Sequence, residues 1–155
     1  MTFEQALQKL TAMCASAEHC EHEMMEKMRR WEVAEPDQQR VMAYLREKHF
    51  VDDERYARAF VSDKVKYNKW GRRKVEQALW AKQIAEDIRQ RALDDVEDST
   101  WHNMLRELLE AKRRQTKARD DYEMKMKLTR FAMSRGFDYD IIKDCTDDII
   151  KGDAD

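Results

Sequence analysis

One apolar spacing occurs three times in this chain. Met24, Met28 and Val33 stand at intervals of four and five, and Val75, Leu79 and Ile84 repeat those intervals, as do Leu128, Ala132 and Phe137. The starts are 51 and 53 residues apart. Two side chains four residues apart share one helical face, and a third placed five further on lies past the helix end, where the chain turns. A helix–turn unit of this size cannot close a core alone, so neighbouring copies must bury one another's apolar faces. The pattern predicts an all-α fold of tandem helical units forming an elongated array.

The elements between the triplets are legible from their caps. Thr2-Phe3-Glu4-Gln5 fits a capping box, and Phe3, Ala6, Leu7, Leu10 and Met13 then mark one helical face. A second helix is expected over residues 20–31. Pro36 suits the first position of a third helix, where its missing amide costs nothing, and Val41, Met42, Leu45 and Phe50 supply its buried stripe. Asp52 caps the next start, with Asp53 and Glu54 at the positive end of its dipole and Val51 stapling onto Tyr56. That helix is expected to run through Ala57, Phe60 and Val61 to Val65, before Gly71 breaks the pattern. Ile88 and Leu93 carry a short helix, residues 94–98 form the most loop-like segment, and Asp98 or Ser99 can cap a helix with Trp101, Leu105, Leu108 and Leu109 inward. Gly136 suits the left-handed residue after the third triplet's helix, and Asp138 can cap the helix that follows, with Phe137 stapling onto Ile142. The second triplet has Gln83 and Ala85 at the equivalent places, so its turn is expected to be less sharply fixed. From Gly152 onward the chain is expected to fray.

Composition supports helices. The 155 residues contain three glycines and one proline, with 40% charged and 42% hydrophobic side chains. No run approaches the roughly 18 apolar residues that span a bilayer, and Met1-Thr2-Phe3 leads straight into a helical pattern without a signal core. A cytoplasmic monomer with no membrane partner is expected. Cys14, Cys20 and Cys145 are too few and too scattered for a disulfide framework. Cys14, His19, Cys20 and His22 are all potential zinc ligands, but their spacings of six and three on helices do not converge, so no metal is assigned.

The net charge of −2 conceals an uneven distribution. Residues 64–82 carry a balance of +6 (seven basic, one acidic), residues 112–135 also +6 (nine basic, three acidic), and residues 138–155 a balance of −5 (two basic, seven acidic). Solvated helix faces account for such segments as readily as a partner site does. There is no Walker glycine loop, no Gly-x-Ser-x-Gly elbow and no His-Glu-x-x-His pair, so no enzyme and no cofactor are expected.

Four segments of this chain resemble the RecX family, bacterial modulators of the RecA recombinase. They are Tyr44-Leu45-Arg46-Glu47-Lys48-His49-Phe50-Val51-Asp52-Asp53-Glu54-Arg55-Tyr56-Ala57, Gly71-Arg72-Arg73-Lys74-Val75, Ile88-Arg89-Gln90-Arg91-Ala92-Leu93, and Lys127-Leu128 through Arg135-Gly136-Phe137. Their order and separation match too, over about residues 10 to 150. The family's second unit usually has glycine where Gln83 stands. The resemblance implies three tandem three-helix repeats in a curved, elongated array, here divided as residues 1–47, 48–98 and 99–155 with an acidic tail. It also implies binding to RecA and its single-stranded DNA filament, with inhibition of filament growth, ATP hydrolysis, strand exchange and co-protease activity.

On that reading the basic strips contact the recombinase. The candidates are Arg72, Arg73 and Lys74; Lys112, Arg113, Arg114 and Lys117; and Lys125, Lys127, Arg130 and Arg135. The alternative is direct, weak nucleic-acid binding through the same strips, with Tyr67 or Trp70 stacking on unpaired bases. Against base reading, Trp80 can belong to the core, and the acidic tail repels DNA.

Overall fold

The computed structural model describes residues 1–154, with side chains through Gly152. Among the described residues all regular structure is helical: α1 (Phe3–Ser16), α2 (Glu21–Arg30), α3 (Glu35–Glu47), α4 (Asp53–Asp63), α5 (Arg72–Ala81), α6 (Glu86–Asp94), α7 (Asp98–Gln115), α8 (Asp121–Ser134) and α9 (Tyr139–Ala154), with a π turn at Lys64–Asn68. Taken in threes, these helices are the expected tandem repeats. The chain also divides by contacts into two compact units, one of Met1–Ser62 with Leu79–Ala92, the other of Asp63–Ala78 with Leu93–Asp155.

In the first unit the capping box is present: Thr2 Oγ1 accepts from the Gln5 amide at 3.2 Å and Gln5 Oε1 accepts from the Thr2 amide at 3.0 Å. α1 and α2 pack on α3 around a core of Ala6, Leu10, Met24, Met28, Val33, Val41, Met42, Leu45 and Val51. In the second unit α7, α8 and α9 pack on one another, burying Trp101, Leu105, Leu109, Leu128, Ala132, Phe137, Ile142 and Cys145.

The triplets mark one recurring backbone turn. Each final interval of five is closed by an amide-to-carbonyl bond, from Val33 to Met28 at 3.0 Å, Ile84 to Leu79 at 3.2 Å and Phe137 to Ala132 at 3.2 Å. This is the bond of a Schellman-type helix end, which requires a left-handed residue just before the donor. Glu32, Gln83 and Gly136 occupy that place with φ of 55°, 57° and 88°. The second turn therefore forms the same bond as the third although, like the first, it lacks glycine, with Gln83 held in a conformation that costs an L-residue about 1–2 kcal/mol. A further echo escapes the sequence pattern. Gln38 Nε2 donates to the Val33 carbonyl at 2.8 Å, and Arg89 Nη1 donates to the Ile84 carbonyl at 2.7 Å, each side chain five residues beyond the turn it seals.

Several local expectations are corrected. Asp52 caps α4 as expected, its Oδ1 accepting from Glu54 and Arg55 at 3.0 and 3.1 Å, and Asp53 and Glu54 stand in its first turn, but Asp53 has a second role. Its Oδ1 accepts from the Glu21 amide at 2.9 Å, capping the start of α2. Burial pushes the Asp53 carboxyl above its ordinary value, and that amide pulls it back. α4 gives way after Asp63 to the π turn, which Lys69 ends at φ 56°, two residues before Gly71. The Lys64 carbonyl accepts from both Lys69 and Trp70 there. Glu97, not Asp98 or Ser99, is the N-cap residue of α7. α9 continues past Gly152 to Ala154 instead of fraying, and Asp155 of the expected acidic tail lies outside the described residues.

Substitutions at the two non-equivalent turns are expected to have opposite signs. Gln83→Gly removes the left-handed penalty at an exposed site, and a net gain of about 0.5–1 kcal/mol remains after glycine's extra unfolded-state entropy. Gly136→Ala adds a Cβ 2.2 Å from Lys74 Cβ and 2.7 Å from its amide nitrogen, at positive φ, and is expected to lose about 2–4 kcal/mol. Urea unfolding of both variants measures the two shifts.

Candidate partner-binding surface

All eleven basic candidates fall in the second compact unit. Their placement there begins with Gly71 and Gly136. The Gly71 amide donates to the Arg135 carbonyl at 2.8 Å and the Arg73 amide to the Gly136 carbonyl at 3.0 Å. The backbones touch: a Cβ on Gly71 would lie 2.5 Å from the Gly136 carbonyl carbon. Two motifs 65 residues apart in sequence are thus one contact, and the basic start of α5 sits beside the end of α8.

Around this contact the cations divide into tied and untied. Arg72 pairs with Asp94 at 2.7 Å. Lys74 holds its Nζ 4.6 Å from the Trp70 ring centroid, and Lys64 approaches the same ring at 4.8 Å. Trp70 is therefore already covered by two ammonium groups, each such contact being worth about 0.5–1 kcal/mol at exposed sites. Phe131 is treated similarly, with Lys112 Nζ at 5.0 Å and Arg135 Cζ at 5.4 Å. Arg135 also donates to the Asn68 carbonyl of the π turn at 3.3 Å. Arg113 is half-buried and donates to the Ile149 carbonyl at 2.8 Å, joining α7 to α9.

On α8, Lys125 pairs with Asp147 at 2.5 Å, which raises the ammonium and lowers the carboxyl from their ordinary values. Lys127 donates to the Lys117 carbonyl at 2.7 Å and lies 3.2 Å from Glu123. The remaining four, Arg73, Arg114, Lys117 and Arg130, are exposed, and their side chains meet no partner among the described residues. The structure thus brings Arg72, Arg73, Lys74 and Arg135 together around the glycine contact, and Lys112 joins Arg135 through Phe131. Arg114 at the end of α7 stands apart from that group by sequence and contact.

Elsewhere the candidate chemistry resolves into packing. Cys14 Sγ lies 3.8 Å from Met24 Sδ. Cys20 is the N-cap residue of α2, and burial pushes its thiol up to about 12. His19, just before α2, and His22 within it face Glu23 and Glu26 at 3.6 and 3.1 Å. Among the described residues no group of three His, Cys, Asp or Glu side chains could hold a metal ion. A cavity of about 700 Å³ gathers Asp98, Trp101, His102, Asp138 and Asp144, acidic where the neighbouring surface is basic. A second of about 350 Å³ lies between α5 and the α8 turn, lined by Arg73, Lys74, Gln77, Met133 and Phe137.

Exposed apolar groups are what the sequence reading missed. Trp80 is 68% exposed and does not join the core, because Val75 and Leu79 already supply α5's buried face. Tyr122, Met126 and Met133 stand out from α8, whose core face is Leu128 and Ala132. The signal was available as surplus: α8 has more large apolar side chains than one buried stripe can use.

Family comparisons fit this architecture. The family model for the second three-helix domain of RecX matches residues 52–93, and that for the third matches residues 103–146. Regulatory protein RecX of Vibrio campbellii is 30% identical over 125 residues, covering 81% of this chain and 79% of the relative. The chain belongs to the RecX family. Regulatory protein RecX of Clostridium perfringens strain 13 is 29% identical over 133 residues, or 84% of this chain. The chain spans only 48% to 60% of the length of four clostridial RecX relatives. The crystal structure of RecX from Lactobacillus salivarius superimposes with a TM-score of 0.83 at 19% identity, covering 94% of this chain and 95% of that one. The RecX relatives are regulatory proteins by name. No described helix is long and apolar enough to cross a membrane.

The tied and untied arginines of α7 are expected to behave differently. Arg113→Ala leaves the Ile149 carbonyl without that donor and is expected to cost about 1–3 kcal/mol, whereas Arg114→Ala stays within about 0.5 kcal/mol of the parent. Denaturant midpoints of the two variants separate the structural arginine from the surface one.

Proposed function

We propose that this chain binds the RecA recombinase and its single-stranded DNA filament and inhibits filament growth, ATP hydrolysis, strand exchange and co-protease activity, so modulating DNA repair in the cytoplasm. Membership of the RecX family is the observation that carries this reading. The repeat scaffold supports it, and the division into repeats at 1–47, 48–98 and 99–155 belongs to the same reading. The contacts are the cations whose side chains meet no partner among the described residues, namely Arg73, Arg114, Lys117 and Arg130. Arg72, Lys74, Lys112, Arg113, Lys125, Lys127 and Arg135 serve chiefly to hold helices in place, and contribute to a partner's field from behind. Several such weak contacts on one chain act together with high effective concentration.

A second reading, direct nucleic-acid binding, has one specific observation in its favour. Tyr67 is 70% exposed, with Lys66 Nζ 5.3 Å from its ring, a pairing suited to a stacked base beside a phosphate. Trp70 is less available for that role, being occupied by Lys64 and Lys74.

Titration into recombinase assembled on single-stranded DNA is expected to suppress ATP hydrolysis. Arg114→Glu with Lys117→Glu is expected to raise the half-inhibiting concentration about tenfold, the equivalent of about 1.4 kcal/mol, without lowering the unfolding midpoint. Unchanged inhibition removes these two residues from the contact. Labelled single-stranded DNA without recombinase, titrated across a salt series, distinguishes the second reading: tight binding whose logarithm falls by roughly 0.7 per neutralised phosphate against log salt favours it.

A further inference from the structure

α8 has two apolar faces, and only one of them is used by the fold. Leu128 and Ala132 are fully buried, while Tyr122, Met126 and Met133 are 74%, 39% and 52% exposed. At about 100° per residue, positions 122, 126, 130 and 133 lie within roughly 80° of arc, so Arg130 sits in the same stripe as the three apolar groups. The stripe is about 16 Å long at 1.5 Å per residue. At its C-terminal end Met133 enters the 350 Å³ cleft whose other wall is Arg73, Lys74 and Gln77 of α5. Stripe and cleft lie wholly within the second compact unit.

We infer that this outer face of α8, with the cleft at the start of α5, is a docking track for an acidic amphipathic segment of a protein partner. The inference rests on the regulatory reading for its biological context and names the chemistry of the partner at that surface.

Charge selects the occupant. Residues 124–137 contain Lys125, Lys127, Arg130 and Arg135 and no acidic side chain. Asp147 pairs with Lys125, and Lys127 shares Glu123 with Arg119, but Arg135 meets only a carbonyl and a ring, and Arg130 and Arg73 meet no carboxylate among the described residues. Three uncompensated guanidinium groups thus flank an apolar stripe, and guanidinium forks match carboxylates in bidentate geometry. The stripe itself discriminates between macromolecules. Methionine is flexible and polarisable and suits apolar side chains of varied shape, whereas a nucleic-acid backbone gains little from two thioethers standing between the cations. An amphipathic segment laying apolar side chains on Tyr122, Met126 and Met133, with carboxylates over Arg130 and Arg73, satisfies both features.

The test uses the full chain and two probes, the recombinase and a labelled synthetic peptide that places leucines and glutamates on opposite faces of a helix. The variants are Met126→Ala with Met133→Ala, and separately Arg130→Glu, all at exposed positions, with circular dichroism confirming the fold. Each variant is expected to weaken peptide binding at least about tenfold, and hydrogen exchange is expected to show protection within residues 121–137 when the peptide binds. Equal affinity of parent and variants for the peptide, or no peptide binding by the parent, overturns the inference. So does a concentration-dependent dimer of the chain that the variants abolish, or a loss of single-stranded DNA affinity in place of peptide affinity. If the parent inhibits recombinase and the variants inhibit equally well, the track is wrong and the regulatory reading stands. If the parent leaves recombinase untouched but binds the peptide in the expected variant-sensitive way, the RecA reading falls and the track remains.

Discussion

The approach of Gly71 to Gly136 is the constraint on which the candidate surface depends. Two backbone hydrogen bonds cross it, at 2.8 and 3.0 Å; the space for a Cβ on Gly71 is taken by the backbone of Gly136 and Phe137, and that on Gly136 by the Cβ and backbone of Lys74. Helix ends carry unpaired amides and carbonyls that must find partners. Here the amides of Gly71 and Arg73 at the start of α5 meet the carbonyls of Arg135 and Gly136 at the end of α8, so each end supplies what the other lacks. The exchange has an electrostatic sense as well, since the positive end of one helix dipole faces the negative end of another. The close approach therefore tolerates little adjustment. Arg72, Arg73 and Lys74 inherit their positions from it.

The turns show how much of such a fold can be read in advance and where reading stops. The triplets were visible because a buried face and a turn both leave regular intervals, and the three amide-to-carbonyl bonds at those intervals explain why the last step is five. Gly136 was readable as a left-handed residue from its identity alone. Gln83 was not, because a long polar side chain carries no mark of its backbone angle; packing of Leu79 and Ile84 imposes φ 57° on it. Asp53 was half legible for a related reason. Its sequence position suits the dipole of α4, but the Glu21 amide it serves lies 32 residues away, and only tertiary structure brings the two together. The Gly71 and Gly136 motifs were each legible singly, yet nothing in their spacing announces that they touch.

Charge was the least readable feature. A run such as Lys112-Arg113-Arg114 looks uniform in sequence, yet its three members do different work: one covers an aromatic ring, one seals a carbonyl and one stands in solvent. Counting cations overstates the field a partner would meet, because Asp94, Glu123 and Asp147 cancel three of the eleven at close range. Sequence reasoning had a partial remedy. Lys127 follows Glu123 by four residues on one helix, the spacing at which such pairs form. The pairs Arg72–Asp94 and Lys125–Asp147 span 22 residues each and required the structure.

Removing tied cations from the count changes what kind of association this surface favours. A dense array of free lysines and arginines would bind any polyanion and lose most of its affinity as salt rises. Four untied cations spread over α5, α7 and α8 give a weaker and more selective field, suited to steering and orientation. Apolar side chains beside them supply attraction that salt does not screen, and the two contributions act at the same place because Arg130 lies among Tyr122, Met126 and Met133. The glycine contact fixes Arg73 at the end of that stripe. A surface built this way discriminates by requiring apolar and acidic groups in one register, which a nucleic acid lacks and a suitably patterned protein segment has. On the proposed reading the arrangement is advantageous: exposing three large apolar groups costs the free protein little stability, and their burial on association is worth roughly 25 cal/mol per Å² only where the partner matches them.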